Sequence, residues 1–142
     1  MIGDVLQLML ASDYHKDYTV EDIDNLMTAA IEAGRLEVMY KEDIPVGMFS
    51  YTFLTPPQEK NYINNQWSES VKDIWKNNPE SGNLYIIDFI APHKNAMSVA
   101  RFTQKTLKNR CRNKYQFRGP WRFVRGVKKA RLGYVPGLGL DT

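Results

Sequence analysis

The chain has 142 residues, which is enough for one domain with a hydrophobic core and too few for two ordinary domains. Its 43% hydrophobic and 25% charged residues are typical of a globular protein and exclude a disordered or low-complexity chain. The single cysteine, Cys111, cannot form an internal disulfide, so we expect a reducing compartment, the cytoplasm. We predict one domain over residues 1–132 and a glycine-rich tail over residues 133–142.

Charge is distributed unevenly along the chain. Residues 1–92 contain 6 Lys or Arg and 15 Asp or Glu, a net charge of −9. Residues 93–142 contain 13 Lys or Arg and 1 Asp, a net charge of +12. The two parts sum to the net charge of +3 of the whole chain. The last third is therefore predicted to bind an acidic partner: nucleic acid, an acidic protein or the phosphates of a cofactor. No stretch approaches the roughly 20 apolar residues that a membrane span needs, so none is expected.

The first part of the chain is predicted to form two helices and a hairpin. Residues 2–11 have apolar side chains at helical spacing, and this pattern stops near Ser12. Thr19 and Asp22 have the spacing of a capping box in front of a second apolar stripe. Residues 36–54 alternate on either side of a turn at residues 42–45, which predicts an antiparallel hairpin.

The rest of the chain is predicted to alternate helices with strands. The prolines at 56 and 57 begin an amphipathic stretch whose last apolar residue is Trp75, which predicts a helix that is closed by Pro79 and Gly82. Residues 84–90 are almost continuously apolar and predict a central strand that is buried on both faces. Residues 96–110 are helical in pattern, and residues 115–127 are strand-like. The expected fold is α/β in the α+β sense, a central and mainly antiparallel sheet flanked by helices.

Asp88 lies in the middle of the predicted central strand, where an unpaired charge is unfavourable. Strict alternation would place its side chain on the same face as Leu84, Ile86 and Ile90, inside a packed layer. We therefore expect a cationic or hydrogen-bonding partner for this carboxylate. The alternative is a structural role, in which Asp88 holds backbone donors at the end of a strand.

The chain contains two histidines that could be this partner. His15 follows the first helix in a polar loop, a place where a rigid scaffold presents functional side chains. A surface histidine without a function is the alternative for His15. His93 follows the central strand and is expected to be a solvated loop residue.

A family resemblance rests on residues 85–92, Tyr-Ile-Ile-Asp-Phe-Ile-Ala-Pro, preceded by Trp75 and by the pair Ser81-Gly82. This segment resembles the signature of the toxin-activating lysine acyltransferases, which attach fatty acids to RTX protoxins such as haemolysin. The family also has a serine three residues before a catalytic histidine after its first helix, as Ser12 and His15 stand here. The turn at residues 43–46 is similar too.

The resemblance implies a fold akin to that of the N-acetyltransferases, a GNAT-like acyltransferase fold. It further implies an acyl carrier protein as donor, internal lysines of a target protein as acceptors and no bound cofactor. Acyl-CoA is the alternative donor. An acetyl-CoA-dependent N-acetyltransferase of the same fold is a further alternative, although no glycine-rich pyrophosphate loop precedes the helix near Ala96. Family members tend to form dimers, so we expect a homodimer.

His15 and Asp88 match the catalytic pair of the family, and Ser12 is placed to orient His15 by a hydrogen bond. Elementary chemistry agrees, because a lysine amine with a pKa of about 10.4 is almost fully protonated at neutral pH and needs a base. Histidine titrates closest to that pH, and a carboxylate on one ring nitrogen would stabilise the imidazolium. The spacing leaves open whether His15 acts as a base or carries the acyl group.

The carrier protein is expected to bind the basic last third. Arg101, Lys105 and Lys108 have helical spacing and would share one helix face, which suits an acidic carrier protein. A solvated helix face without a partner is the alternative. No metal site is expected, because two histidines and one cysteine offer no ligand spacing for zinc. Cys111 is expected to be inert.

A rival function comes from the basic and aromatic composition of residues 114–125. Such a mixture suits stacking on bases and contact with phosphates, so a nucleic-acid-binding protein without the chemistry is the alternative. The residues concerned are Lys114, Tyr115, Phe117, Arg118, Trp121, Arg122, Phe123 and Arg125.

Overall fold

The computed structural model describes residues 1–64, 71–92, 94–114, 121–125 and 131–134. The helices are α1 (Ile2–Leu10), α2 (Val20–Asp22), α3 (Ala29–Glu32), α4 (Pro56–Ile63) and α5 (Ala96–Leu107). The strands are β1 (Leu36–Lys41), β2 (Ile44–Leu54), β3 (Asn83–Ile90), β4 (Trp121–Arg125) and β5 (Arg131–Tyr134). Residues 65–70 of the predicted helix after Pro56, His93, residues 115–120 and 126–127 of the predicted last strand and residues 135–142 of the predicted tail lie outside the described residues. Strand β5 includes the first two residues of the predicted tail.

The five strands form one sheet in the order β1-β2-β3-β4-β5. Three neighbouring pairs are antiparallel, and β3 pairs with β4 in parallel. A parallel pair needs a crossover connection, and α5 lies in the chain between these two strands. The fold is therefore α+β with a mainly antiparallel sheet, as predicted, and it is consistent with the GNAT-like architecture that the resemblance implies.

Helices cover both faces of the sheet, so its middle strands are buried. One face packs against α1 and α3, and we call it the α1 face. The other face packs against α5 and the residues that follow it, and we call it the α5 face. The α1 face includes Val5, Leu8, Met9, Met48, Leu54, Tyr85 and Ile90, and the α5 face includes Phe49, Tyr51, Phe53, Leu84, Ile86 and Leu107.

The second predicted helix begins at its capping box. The Asp22 amide donates to the Thr19 hydroxyl at 3.1 Å, and the Thr19 amide donates to the Asp22 carboxylate at 2.9 Å. Helices α2 and α3 are the ends of one helical run that contains π-helical turns at Ile23–Thr28. The Asn25 carbonyl in these turns accepts the indole N–H of Trp75 at 2.7 Å. This bond joins the helical run to the segment after α4.

The hairpin of β1 and β2 is confirmed, with a tighter turn than the sequence indicated. Its turn consists of Glu42 and Asp43, whose φ angles of 51° and 65° are both positive. Positive φ angles at both central residues define a type I′ turn, whose twist matches that of the two strands it connects. Strand β2 therefore begins at Ile44, two residues before the predicted start.

The long helix predicted from residue 56 to Trp75 is wrong. Helix α4 ends at Ile63, and Val71–Lys76 forms a separate 3-10 helix whose Ile74 and Trp75 side chains are buried on the α1 face. Apolar residues three apart fit a 3-10 helix as well as an α-helix, which is why the sequence pattern did not reveal the break. In the part of the chain that the structure describes, no helix is long and apolar enough to cross a membrane.

Candidate active site

The loop after α1 presents Ser12 and His15. The predicted helix end near Ser12 is confirmed, because the Ser12 amide closes the helix on the Met9 carbonyl at 3.0 Å. Val5, Leu8 and Met9 anchor the helix in the core of the α1 face. A short 3-10 turn, His15–Asp17, follows and directs the imidazole inward, where the side chain is buried.

A β-bulge in β3 directs the Asp88 side chain towards this loop. Ser50 of β2 pairs with Asp88, but the next residue of β2 pairs with Ile86, so Ile87 is an extra residue in β3. The bulge shifts the alternation by one position, and Asp88 lies on the α1 face while Leu84 and Ile86 lie on the α5 face. The predicted shared face is therefore wrong for Leu84 and Ile86, whereas Ile90 does lie on the same face as Asp88. Bulges commonly occur beside active sites, where they re-aim a side chain.

The structure brings Ser12, His15 and Asp88 into one hydrogen-bonded chain. His15 Nε2 lies 2.9 Å from Asp88 Oδ1, and His15 Nδ1 lies 2.7 Å from the Ser12 hydroxyl. A carboxylate can only accept a hydrogen bond, so Nε2 is the nitrogen that carries the proton. In a neutral ring Nδ1 therefore accepts the proton of the Ser12 hydroxyl. Only 5% of His15 and 3% of Asp88 are exposed, whereas Ser12 is half-buried.

Two residues that the sequence analysis did not select complete the surroundings of Asp88. The Tyr18 hydroxyl donates to Asp88 Oδ1 at 2.6 Å, and the Asp88 amide donates to the Ser50 hydroxyl at 3.0 Å. Asp88 Oδ2 is buried and has no hydrogen-bond partner among the described residues. The positions of Tyr14 and Tyr18 on either side of His15 were the available sequence signal, whereas Ser50 required the strand register.

Three tyrosines surround the carboxylate as neutral hydroxyl groups. Burial and then the negative charge of Asp88 raise the pKa of Tyr18 and of Tyr62. Burial is also the largest cause of the raised pKa of Tyr14, whose ring meets the His15 ring edge-on at 4.8 Å. All three hydroxyl groups therefore remain protonated near neutral pH. Of these hydroxyl groups, that of Tyr18 donates to Asp88, whereas that of Tyr62 donates to the Ile87 carbonyl at 3.3 Å.

A second polar cluster joins α4 to β3 and β4. The Glu59 carboxylate accepts hydrogen bonds from Asn83 at 2.9 Å, from Tyr85 at 2.7 Å and from Arg122 at 3.3 Å. Burial raises the pKa of Glu59, but these donors and the Arg122 charge outweigh it, so the net shift is downward. The cluster is a structural brace that ties β3 to α4 and β4.

The predicted donor-binding residues do not join this site. Arg101 and Lys105 are exposed on α5, and Lys108 is the half-buried residue that follows the helix. Because α5 packs on the opposite face of the sheet, these cations lie on the far side from the His15–Asp88 pair.

Two members of the proposed nucleic-acid surface have partners within the protein. The Trp121 indole N–H donates to Gln104 at 2.9 Å, and its ring packs against the core of the α5 face. The Arg122 guanidinium donates to Glu59. Neither side chain is therefore free to stack on a base or to bind a phosphate.

Other groups offer little chemistry. Among the residues that the structure describes, no three His, Cys, Asp or Glu side chains are grouped so that they could hold a metal ion. Burial raises the pKa of the Cys111 thiol to about 12, although the Arg35 charge lowers it in part. This thiol is therefore protonated and a poor nucleophile at neutral pH.

Comparison with known proteins identifies the family. The model of the RTX toxin acyltransferase family matches residues 1–131. The chain belongs to this family. Residues 1–131 include all five helices and four of the five strands, together with Ser12, His15 and Asp88. The protein is thus an acyltransferase of toxin activation, and the resemblance noted in the sequence is confirmed. No curated protein matches the chain in a direct comparison.

Proposed function

We propose that this enzyme transfers a fatty acyl group from an acyl carrier protein to internal lysines of a toxin protein, with His15 as the general base. The observation that carries the proposal is the buried chain of hydrogen bonds from Ser12 through His15 to Asp88. These contacts supply a base and a group that orients it, which promote transfer to an amine, and the half-buried Ser12 hydroxyl lies at the more exposed end of the group.

The geometry favours His15 as a base over His15 as an acyl carrier. A nucleophilic nitrogen needs a lone pair that faces the thioester carbonyl. Both ring nitrogens of His15 are already hydrogen-bonded, to Ser12 and to Asp88, and the ring is almost completely buried. Ser12 is more exposed than His15 and Asp88, to which it is linked by hydrogen bonds, so the substrate amine meets the Ser12 hydroxyl first.

The proton path follows from this arrangement. The lysine side chain first releases one proton to solvent, and its neutral nitrogen attacks the thioester carbon. An N–C bond forms and the C–S bond breaks. The proton lost by the attacking nitrogen passes to Ser12 Oγ while the Ser12 proton moves to His15 Nδ1. The imidazolium then protonates the departing thiolate, so an amide and a free thiol result.

Asp88 stabilises the imidazolium that forms during transfer. Its Oδ1 atom accepts from His15 Nε2 and from the Tyr18 hydroxyl, which together fix the position of the carboxylate. A buried carboxylate interacts strongly with a cation because the local dielectric constant is low. Tyr18 is therefore proposed as a positioning residue that acts through Asp88.

The sheet offers a route for the arm of the donor. In the described residues, β4 pairs with β3 at Leu84–Ile86 and not with later residues of β3. An extended arm that contains amide groups can add to such a strand edge by backbone hydrogen bonds. Asp88 lies two residues beyond the last pair. The exposed cations Arg101 and Lys105 on the following helix suit an acidic carrier protein.

The proposal is tested by incubating the protein with fatty acyl carrier protein and a lysine-containing RTX protoxin, followed by mass spectrometry of the acceptor. We expect an acyl adduct on lysine that is absent with Asp88→Asn. A parallel reaction with fatty acyl-CoA identifies the donor, and faster transfer from CoA would contradict the carrier protein assignment. Absence of any lysine adduct with either donor would refute the proposed function.

The alternative function, nucleic-acid binding, is tested with the same purified protein. Nucleic acid that co-purifies and dissociates steeply with salt would favour it, provided that His15→Ala leaves that binding unchanged. The internal hydrogen bonds of Trp121 and Arg122 argue against this outcome.

A further inference from the structure

Helix α1 is apolar on its outer side as well as on its buried side. Ile2, Leu6 and Leu10 follow one another at four-residue intervals, so they form a stripe along one side of the helix. All three are exposed, and Leu10 has 77% of its surface in contact with solvent. Helices on the surface of globular proteins normally carry polar residues on their outer side. The stripe is therefore a candidate contact surface.

Further exposed apolar side chains lie close in the chain to Ser12 and His15. Leu10 lies two residues before Ser12, and the exposed Tyr14 contacts His15. Val20, at the start of α2, is 85% exposed. We refer to Ile2, Leu6, Leu10, Tyr14 and Val20 as the α1 surface.

Acidic side chains lie in the sequence next to the apolar residues of the α1 surface. Asp13, Asp17 and Glu21 are exposed and lie in the same loop and helix start as Tyr14 and Val20. Residues 1–34 contain seven Asp or Glu and one Lys, a net charge of −6. That lysine, Lys16, is paired with Asp13 at 3.3 Å. The partner that complements the α1 surface is therefore both apolar and cationic.

We propose that the α1 surface binds the acceptor polypeptide, through an amphipathic and lysine-rich segment that includes or adjoins the lysine to be acylated. Apolar side chains of that segment cover Leu6 and Leu10, and its cations face Asp13, Asp17 and Glu21. This inference rests on the proposed function, because it assigns the lysine-bearing substrate to the Ser12 side of the site.

The charge distribution separates the two substrates. An acidic carrier protein is repelled by the net negative α1 region and attracted by the cations of α5, which lie on the opposite face of the sheet. An anionic lipid surface is disfavoured by the same acidic residues. The acceptor and the donor can therefore approach from different sides and meet at the Ser12 hydroxyl, the more exposed end of the Ser12–His15–Asp88 group.

Binding is tested directly with synthetic peptides. The probe is a fluorescent amphipathic peptide of leucine and lysine, and its twin has glutamate in place of lysine. We expect the lysine peptide to bind the full chain and the glutamate peptide not to bind. The double variant Leu6→Gln and Leu10→Gln should weaken binding by about tenfold or more, because it removes apolar area from the contact. Met97→Gln, at an apolar residue on α5 that is also exposed, is the matched control and should bind as the wild type does.

The charge contribution is tested separately. Asp17→Asn combined with Glu21→Gln should weaken binding of the lysine peptide and reduce its dependence on salt. Glu80→Gln, an exposed acid outside the α1 surface, should have no effect. Equal binding by wild type and by both sets of α1 variants would overturn the inference.

Kinetics distinguish this inference from the proposed function. With acyl carrier protein as donor, the Leu6 and Leu10 variant should raise the KM for the protoxin about tenfold and leave kcat unchanged. Its transfer to a small amine such as Nα-acetyl-lysine should equal that of the wild type. If the wild type transfers to neither acceptor, the proposed function fails, while the peptide experiment still decides the docking surface.

The same variants test two other possible occupants of the α1 surface, a second copy of the chain and a lipid surface. A wild-type dimer that becomes a monomer with Leu6→Gln and Leu10→Gln, with peptide binding unchanged, would show a contact between two copies of the chain. If the wild type binds phosphatidylglycerol vesicles and the Leu6→Gln and Leu10→Gln variant does not, again with peptide binding unchanged, the surface contacts lipid. Either result contradicts an acceptor-binding surface.

Discussion

Tyr18→Phe removes one hydroxyl from the candidate active site and leaves the ring in place. That hydroxyl donates to Asp88 Oδ1 at 2.6 Å in surroundings that bury most of the tyrosine. A hydrogen bond to a charged acceptor contributes about 1.5–3 kcal/mol, and Asp88 Oδ2 has no other donor among the described residues to compensate. We therefore expect the free energy of unfolding to fall by about 2 kcal/mol at neutral pH.

Tyr40→Phe is the matched control, because it removes a hydroxyl that donates to the Asp4 carboxylate at the surface. Solvent replaces that bond, so the expected loss is below about 0.5 kcal/mol. The assay is urea denaturation of wild type and both variants, followed by circular dichroism. Equal losses in the two variants, or no loss with Tyr18→Phe, would refute the view that Asp88 depends on buried donors.

Three further predictions follow from the structure. Ser12→Ala should lower the rate of acyl transfer by about 100-fold while the fold persists, because it removes the hydroxyl that relays the proton; an unchanged rate in a transfer assay would exclude the relay. The free energy of unfolding should be constant up to about pH 9 and then fall, because the folded state raises the pKa of Cys111 and of Tyr62. Each of these groups lowers it by about 1.4 kcal/mol for every pH unit above the pKa of that group in the unfolded chain. A free energy of unfolding, measured with urea, that stays constant to about pH 11 would contradict this. Gly82→Ala should destabilise the protein by roughly 1–3 kcal/mol, because a Cβ would lie 1.7 Å from the Leu54 carbonyl oxygen. Gly3→Ala, where a Cβ meets nothing within 4 Å, should instead stabilise α1 by about 0.5–1 kcal/mol, and calorimetry compares the two.

The sequence was informative where local rules decide the structure. The capping box of Thr19 and Asp22, the hairpin and the end of α1 depend on neighbouring residues, and all three are as predicted. The approach of His15 to Asp88 was also anticipated. A carboxylate in an apolar strand needs a partner, and few candidate residues exist in the chain.

The details of the site depend on tertiary structure, and the sequence did not reveal them. The face on which Asp88 lies is set by the bulge at Ile87, and no residue type there marks a bulge. Tyr18 reaches Asp88 only because the 3-10 turn after α1 brings the two elements together. The break after α4 was missed because buried 3-10 and α-helical segments share their apolar spacing.

The location of the predicted donor cations also required the fold. Helical spacing shows that Arg101 and Lys105 share a side of α5, but it does not show which face of the sheet the helix covers. That face is decided by the crossover between β3 and β4. The assignment of these cations to the donor therefore remains a prediction, to be tested by transfer from the carrier protein.

The most direct test of the account is the single-turnover rate of acyl transfer by His15→Ala, with His93→Ala as the control at the second histidine. We expect a fall of at least about 100-fold for His15→Ala in a folded protein, partial recovery with added imidazole and a wild-type rate for His93→Ala. A folded His15→Ala variant that acylates lysine at the wild-type rate would contradict the central claim that this imidazole is the base.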